Sequence, residues 1–171
     1  MHITTIRRAN VADTGVLAAL GARAFEDTFA HLYPPEDLET FLNTTYALAR
    51  VGDELGDPDL AAWLAETDTG AVGYALAGPC KLPHPEVTHT CGEIKRLYVL
   101  KPWQGGLIGR TLLDSALTWL EAHDRRPVWL GVWSGNERAL GFYARRGFEI
   151  EGSYEFKVGK TLDHEFIMRR A

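Results

Sequence analysis

A chain of 171 residues with 46% hydrophobic, 11% aromatic and 24% charged positions has the length of one ordinary domain and the composition of a folded globular protein. That balance excludes disordered, collagen-like and coiled-coil chains. The longest uncharged stretch, Thr69–Cys80, is broken by glycine and proline and falls short of the roughly 20 apolar residues of a membrane helix, so no membrane partner is expected. The net charge of −5 excludes a basic nucleic-acid footprint over the whole surface, but it is unevenly held: residues 1–12 contribute +2, residues 13–68 contribute −10 and residues 69–171 contribute +3.

The opening residues MHITTIRRAN lack the apolar run of a secretory signal, which points to a cytoplasmic location. Alternation over His2–Arg8 predicts a first strand, and Asn10–Asp13 has the polar character of a helix start. A helix follows with Val16, Leu17, Leu20, Ala24 and Phe29 at helical spacing, then a break at Pro34-Pro35 and a second helix over Glu36–Tyr46 with Leu38, Phe41, Leu42 and Leu48 on one side. Strands Ala61–Glu66 and Ala71–Ala77 flank Thr67-Asp68-Thr69-Gly70, a hairpin signal. Glu93–Leu100 reads as a central strand and Leu107–Leu120 as an amphipathic helix. Pro127–Trp133 reads as a strand buried on both faces, and Asn136–Arg146 as a short helix capped by Asn136 and ended by Gly147. Two closing strands, Phe148–Val158 and Asp163–Arg169, share a turn at Gly159-Lys160. Trp103, Trp119, Trp129 and Trp133 fall on or beside apolar faces and read as core.

Cys80, His84, His89 and Cys91 form a Cys2His2 set, ligands that zinc accepts, within twelve residues, but their spacing matches no standard zinc pattern and Pro83 and Pro85 suit a loop. A plain loop, a facultative disulfide and a metal site all fit, and no metal is expected. Between the central strand and the following helix, Gln104-Gly105-Gly106-Leu107-Ile108-Gly109-Arg110 forms a glycine-rich turn, where backbone N–H groups and the helix dipole suit phosphate. Neither a dinucleotide fingerprint nor a P-loop is present. Taken alone, the turn also admits a reading as a packing device.

The run from Glu93 to Phe148 resembles the GNAT family of acetyl-CoA-dependent N-acetyltransferases. Its pyrophosphate motif, R/Q-x-x-G-x-G/A, falls on Gln104, Gly105, Gly106, Leu107, Ile108 and Gly109, with Leu107 in place of the central glycine. A second motif, N-x-x-A-x-x-F-Y-x-x-x-G-F, is complete as Asn136, Ala139, Phe142, Tyr143, Gly147 and Phe148. The stretches FEDTF, PPEDLETFL, EIKRLYV and VGKTLDHEFIMRR are similar to the branch that includes bacterial spermidine/spermine N-acetyltransferases.

This resemblance implies an α/β (α+β) fold: a mixed, mostly antiparallel sheet of six to seven strands, helices on both faces, and a splay between two central parallel strands. It implies one domain over residues 1–171, with acceptor-side helices at about 13–50 and an acetyl-CoA core at about 91–150. Leu97, Tyr98 and Val99 would bind the pantetheine arm like an added strand, with the Leu97 N–H as an oxyanion donor. Gln104 to Arg110 would hold the pyrophosphate, with Asn136, Ala139, Tyr143 and Arg145 also at the cofactor. Tyr143 would protonate the departing thiolate, and Glu93 would take the amine's proton. Each also reads blandly, Tyr143 as core and Glu93 as a surface residue. The carboxylates Glu26, Asp27, Glu36, Asp37 and Glu39 would wall an acceptor site for a cationic small-molecule amine, with polyamine preferred, unless they form a solvated face. A homodimer is compatible with the family. The rival readings are a non-catalytic acyl-CoA sensor, a nucleotide binder using the same helix start, and an acetyltransferase acting on a protein or peptide amine or a small amine metabolite.

Overall fold

Period-two alternation assigns each strand residue to one of two cores. Along β2 (Ala61–Thr67), Ala61, Trp63 and Ala65 enter one core while Ala62 and Leu64 enter the other, so this strand is apolar on both faces. The computed structural model describes residues 4–171; Met1 to Ile3, the start of the first predicted strand, lie outside them. Among the described residues seven strands form one sheet in the order β1-β2-β3-β4-β5-β7-β6. The others are β1 (Thr5–Arg8), β3 (Gly70–Pro79), β4 (Gly92–Val99), β5 (Val128–Trp133), β6 (Glu149–Val158) and β7 (Thr161–Arg170). Every neighbouring pair is antiparallel except β4–β5. The β3–β4 register slips by one at Lys95, a bulge that bends the central strand.

Helices cover both faces. Leu112, Leu113, Ala116, Leu117 and Leu120 of α4 (Ile108–Ala122) pack on one, together with Tyr143 of α5 (Glu137–Ala144). On the other lie α1 (Thr14–Phe29), α2 (Pro35–Thr45) and α3 (Leu48–Gly56), through Leu17, Phe25, Phe29, Leu38 and Val51. The 3-10 turn Val11–Asp13 that leads into α1 is capped by Asn10 and Asp13: the Asn10 carboxamide accepts the Ala12 N–H at 2.9 Å while Asp13 accepts the Asn10 N–H at 2.9 Å.

Two helix expectations are corrected. Val16 is half exposed, because the buried stripe of α1 runs through Leu17, Leu20, Gly21 and Ala24. Leu48 does not continue α2; Ala47 is extended, a third helix begins at Leu48, and that side chain is 63% exposed.

Candidate active site

β4 and β5 pair over only two rungs, Gly92 with Val128 and Glu93 with Trp129. Beyond them β4 stays bonded to β3 as far as Val99, and β5 to β7 as far as Trp133, so the two central strands diverge with facing backbone edges unpaired between them. Such an edge accepts an extended ligand as it would a strand. Two cavities open into the gap, one of about 740 Å³ and one of about 380 Å³. They share Phe29, Leu97, Tyr98, Asn136, Ala139 and Tyr143, so this group stands where the two cavities adjoin.

The smaller cavity is lined by Val99, Gln104, Gly105, Gly106, Gly109 and Arg145. Leu107 departs from the family motif without distorting the loop. Its φ of −84° and ψ of −12° are ordinary right-handed values, and its side chain is 71% exposed. The conformation that needs glycine falls at Gly105, where φ is +85°. Leu107, Ile108 and Arg110 do not line the cavity with their side chains: Leu107 points outward, Ile108 packs against the core, and Arg110 leans toward Asp114 at 3.8 Å. What these three positions can contribute is backbone N–H groups at the start of α4, which have no partner within the helix. Gln104 is held in place, its Nε2 donating to the Val99 carbonyl at 2.7 Å and its Oε1 accepting from Arg138 at 3.0 Å. Arg138 and Trp103 also line this cavity, and sequence reasoning missed both. A lone arginine two residues into a helix carries no signal until the fold brings α5 over the loop.

Replacing Gly105 with alanine is expected to weaken acetyl-CoA binding about tenfold. An L-residue in this region costs about 1–2 kcal/mol, and the new methyl would lie 3.3 Å from the Arg138 guanidinium. Calorimetric titration with acetyl-CoA checks this; an unchanged dissociation constant would mean that the loop does not bind in this conformation.

Tyr143 stands where the cavities join, 9% exposed, its ring packed edge-on against Phe142 and Phe148 at 5.2 and 5.7 Å. Burial raises its pKa far above the usual tyrosine value, and no side chain among the described residues bonds its hydroxyl. A protonated, unengaged O–H faces the gap. Asn136 caps α5, its Oδ1 accepting the Ala139 N–H at 3.1 Å, which leaves its NH2 group for a ligand.

The larger cavity is walled by α1 and α2, but not by their carboxylates. Phe25, Phe29, Thr40, Phe41, Thr44 and Thr45 face it. Glu26, Asp27, Glu36 and Glu39 are exposed and do not line it, and Asp37 is engaged in accepting the Lys160 N–H and the Thr161 hydroxyl at 3.0 and 2.6 Å. The acidic wall expected from the sequence is an outer face. Among the described residues lining the cavity the carboxylates are Glu93 and Glu165, and the cations are Arg50, Lys81, Lys95, Arg96 and Lys157. Glu93 Oε2 accepts from the Lys81 N–H at 2.9 Å and the Lys95 ammonium at 3.1 Å. Glu165, on β7, takes a 2.5 Å hydrogen bond from the Tyr154 hydroxyl of β6. No sequence signal marks it, since it lies within a closing strand and outside both family motifs.

The Cys80–Cys91 loop shows no grouping of three or more metal-binding side chains among the described residues, and both cysteines are free. His84 instead packs tilted against Trp129, with ring centroids 4.7 Å apart. Among the described residues no helix is long and apolar enough to cross a membrane.

Comparison with known proteins agrees with this geometry. The chain is 31% identical over 158 residues to an uncharacterised N-acetyltransferase of Mycobacterium tuberculosis (strain ATCC 25618 / H37Rv), covering 92% of this chain and 97% of that one. It is 29% identical over 153 residues to an uncharacterised N-acetyltransferase of Lactobacillus delbrueckii subsp. lactis, covering 90% and 88%. The fold matches the crystal structure of the PaiA N-acetyltransferase from Thermoplasma acidophilum in complex with coenzyme A, with a TM-score of 0.79, 21% identity and 98% of both chains covered. The model of the acetyltransferase (GNAT) family matches residues 22–148, and the chain belongs to that family.

Proposed function

We propose that the protein transfers acetyl from acetyl-CoA to a primary amine by direct attack, with both substrates bound together. The observation that carries this reading is the meeting of two cavities at Tyr143 in the gap between β4 and β5. One cavity has the features a nucleotide thioester needs: an unpaired strand edge at Leu97–Val99, a glycine loop at a helix start, and the guanidinium groups of Arg138 and Arg145. The other is lined by aromatic rings, two carboxylates and five cationic side chains, and can hold an amine.

Three roles follow. The Leu97 N–H lies on the unpaired edge, where it can donate to a thioester oxygen and stabilise charge developing there. Tyr143 donates a proton to the departing sulfur. The amine is mostly protonated near neutral pH and must lose a proton before it attacks, a proton that a carboxylate lining the larger cavity, Glu93 or Glu165, can take. Neither cysteine lines either cavity, which is consistent with direct attack and no acyl-enzyme.

The polyamine suggested by the acidic first third finds no support in the cavity, because those carboxylates lie outside it and five cations lie within. An amine whose remainder is aromatic, apolar or anionic suits this lining better. The test is release of CoA thiol from acetyl-CoA against spermidine, spermine, lysine-containing peptides, an aminoglycoside, free amino acids and 2-phenylethylamine, with Cys80 and Cys91 counted as background. Saturable release with an amine of aromatic, apolar or anionic remainder is expected. Fastest release with spermidine or spermine would restore the polyamine. No release, with acetyl-CoA still raising the Tm, would indicate an acyl-CoA sensor.

A further inference from the structure

The cavity holds a second carboxylate that the family motif does not mark, in a setting unlike that of Glu93. Glu165 projects from β7 toward Gly131 of β5, which lies two residues beyond the last β4–β5 rung, inside the opening. A methyl group at Gly131 would lie 3.1 Å from Glu165 Oε2 and 2.7 Å from the Tyr154 hydroxyl. A residue without a side chain is therefore what lets this pair reach the gap. Glu93, by contrast, sits on the last rung itself, with one oxygen already held by Lys81 and Lys95.

We propose that Glu165 is the proton acceptor for the incoming amine, with Tyr154 as its positioning partner and Glu93 holding the neighbouring charge. This rests on the acetyltransferase reading above. The ammonium group gives one proton to the Glu165 carboxylate, and the freed nitrogen lone pair bonds to the acetyl carbonyl carbon. The carbon–sulfur bond breaks, the sulfur takes the Tyr143 proton, and the second proton on nitrogen returns to the Tyr143 oxygen. Glu165 then releases its proton to solvent, leaving amide, thiol and one proton as products.

The surroundings of Glu165 suit a group that must gain and lose a proton near neutrality. Burial pushes its pKa up to about 7; the Tyr154 hydrogen bond opposes this and the charge of Asp163 on the same strand adds to it. Tyr98 on β4 and Tyr33 between α1 and α2 also feel the Glu165 charge, and burial holds both phenols far above the usual range, so they stay neutral. Tyr33 is hydrogen-bonded to Asp163. The remaining charged groups around the cavity are Lys157 on β6, Arg50 on α3, Lys81 in the loop after β3, and Glu93, Lys95 and Arg96 on β4. Tyr143 and Glu165 both line the larger cavity, so acid and base open onto one space.

The test compares wild type, Glu165→Gln, Tyr154→Phe and Glu93→Gln, using the panel amine with the fastest thiol release. In wild type kcat/KM is expected to rise through about pH 7, as Glu165 loses its proton, and to fall at the amine's own pKa. Glu165→Gln is expected to lower kcat about 10²-fold and remove the rising limb while acetyl-CoA still raises the Tm. Tyr154→Phe removes the bond that favours the ionised form, so the limb should move to higher pH with the plateau retained. Glu93→Gln should keep the limb. Infrared titration gives an independent readout: a carboxyl C=O band disappearing near pH 7 in wild type and missing in Glu165→Gln. Retention of the limb or of wild-type kcat in Glu165→Gln overturns the proposal alone. Absence of amine-dependent release in wild type overturns both it and the reading beneath it.

Discussion

Replacing Tyr143 with phenylalanine is expected to lower kcat by about 10²–10⁴-fold, the usual worth of a positioned acid, while leaving acetyl-CoA affinity within a few-fold of wild type. The expectation separates the ring from the hydroxyl. The ring makes the packing contacts, edge-on to Phe142 and Phe148, and phenylalanine preserves them. The hydroxyl has no bonding side chain among the described residues, so its loss leaves no protein group unsatisfied and stability should hold. Because burial keeps the phenol protonated well above the working range, the acid is present at every pH at which the enzyme would be assayed, and the loss of kcat should be nearly uniform from pH 6 to 9. Steady-state kinetics over that range, with calorimetric titration of acetyl-CoA, check both halves. Unchanged kcat would make Tyr143 a core residue that happens to face the gap, and the sulfur would have to take its proton elsewhere.

The parts of the site that were legible from sequence are those whose signal is local. Asn136 announces the start of α5 because an N-cap needs a short oxygen-bearing side chain three residues before a free N–H, and the structure places that bond at 3.1 Å. The glycine turn was legible for the same reason, although its strain falls at Gly105 and not at the motif position occupied by Leu107. Charge misled where it was treated as a property of a segment. The carboxylates of α1 and α2 make that stretch acidic, but a helix has two sides, and the side facing the cavity carries phenylalanine and threonine. Glu165 was invisible for a long-range reason. Its setting depends on Tyr154 one strand away, on a β6–β7 register that slips between Ile150 and Gly152, and on the missing side chain at Gly131 in a third strand. The α3 helix was missed because Gly52 and Gly56 weaken its helical signal; both face the start of α1, where a methyl would meet Thr14 at 3.6 Å and Val11 at 3.7 Å.

That short helix owes much of its hold on the sheet to one ion pair, and Glu54→Ala is expected to cost about 3 kcal/mol. Glu54 on α3 and Arg96 on β4 form two hydrogen bonds, 2.8 and 3.0 Å long, with side chains only 15% and 14% exposed. An exposed pair of this kind is worth at most about 1 kcal/mol, but removing one member of a buried pair leaves a desolvated charge and costs roughly 3–5. The lower end applies because Arg96 also borders the larger cavity, where water can partly hydrate it. Its guanidinium lies 5.6 Å from the Tyr46 ring centroid, which supplies a further weak attraction once the carboxylate is gone. For a chain of this length 3 kcal/mol corresponds to a fall in Tm of roughly 6–12 °C by calorimetry. The double variant Glu54→Leu with Arg96→Met removes both charges and should recover most of the loss, since the penalty lies in the unpaired ion and not in the missing contact. A single-variant loss below about 1 kcal/mol would show that the pair is solvated in solution and that α3 is docked by the fully buried Val51. If the loss is as large as expected, the larger cavity should suffer with it, because Arg50 on the same helix lines that cavity and is held 3.4 Å from the same carboxylate.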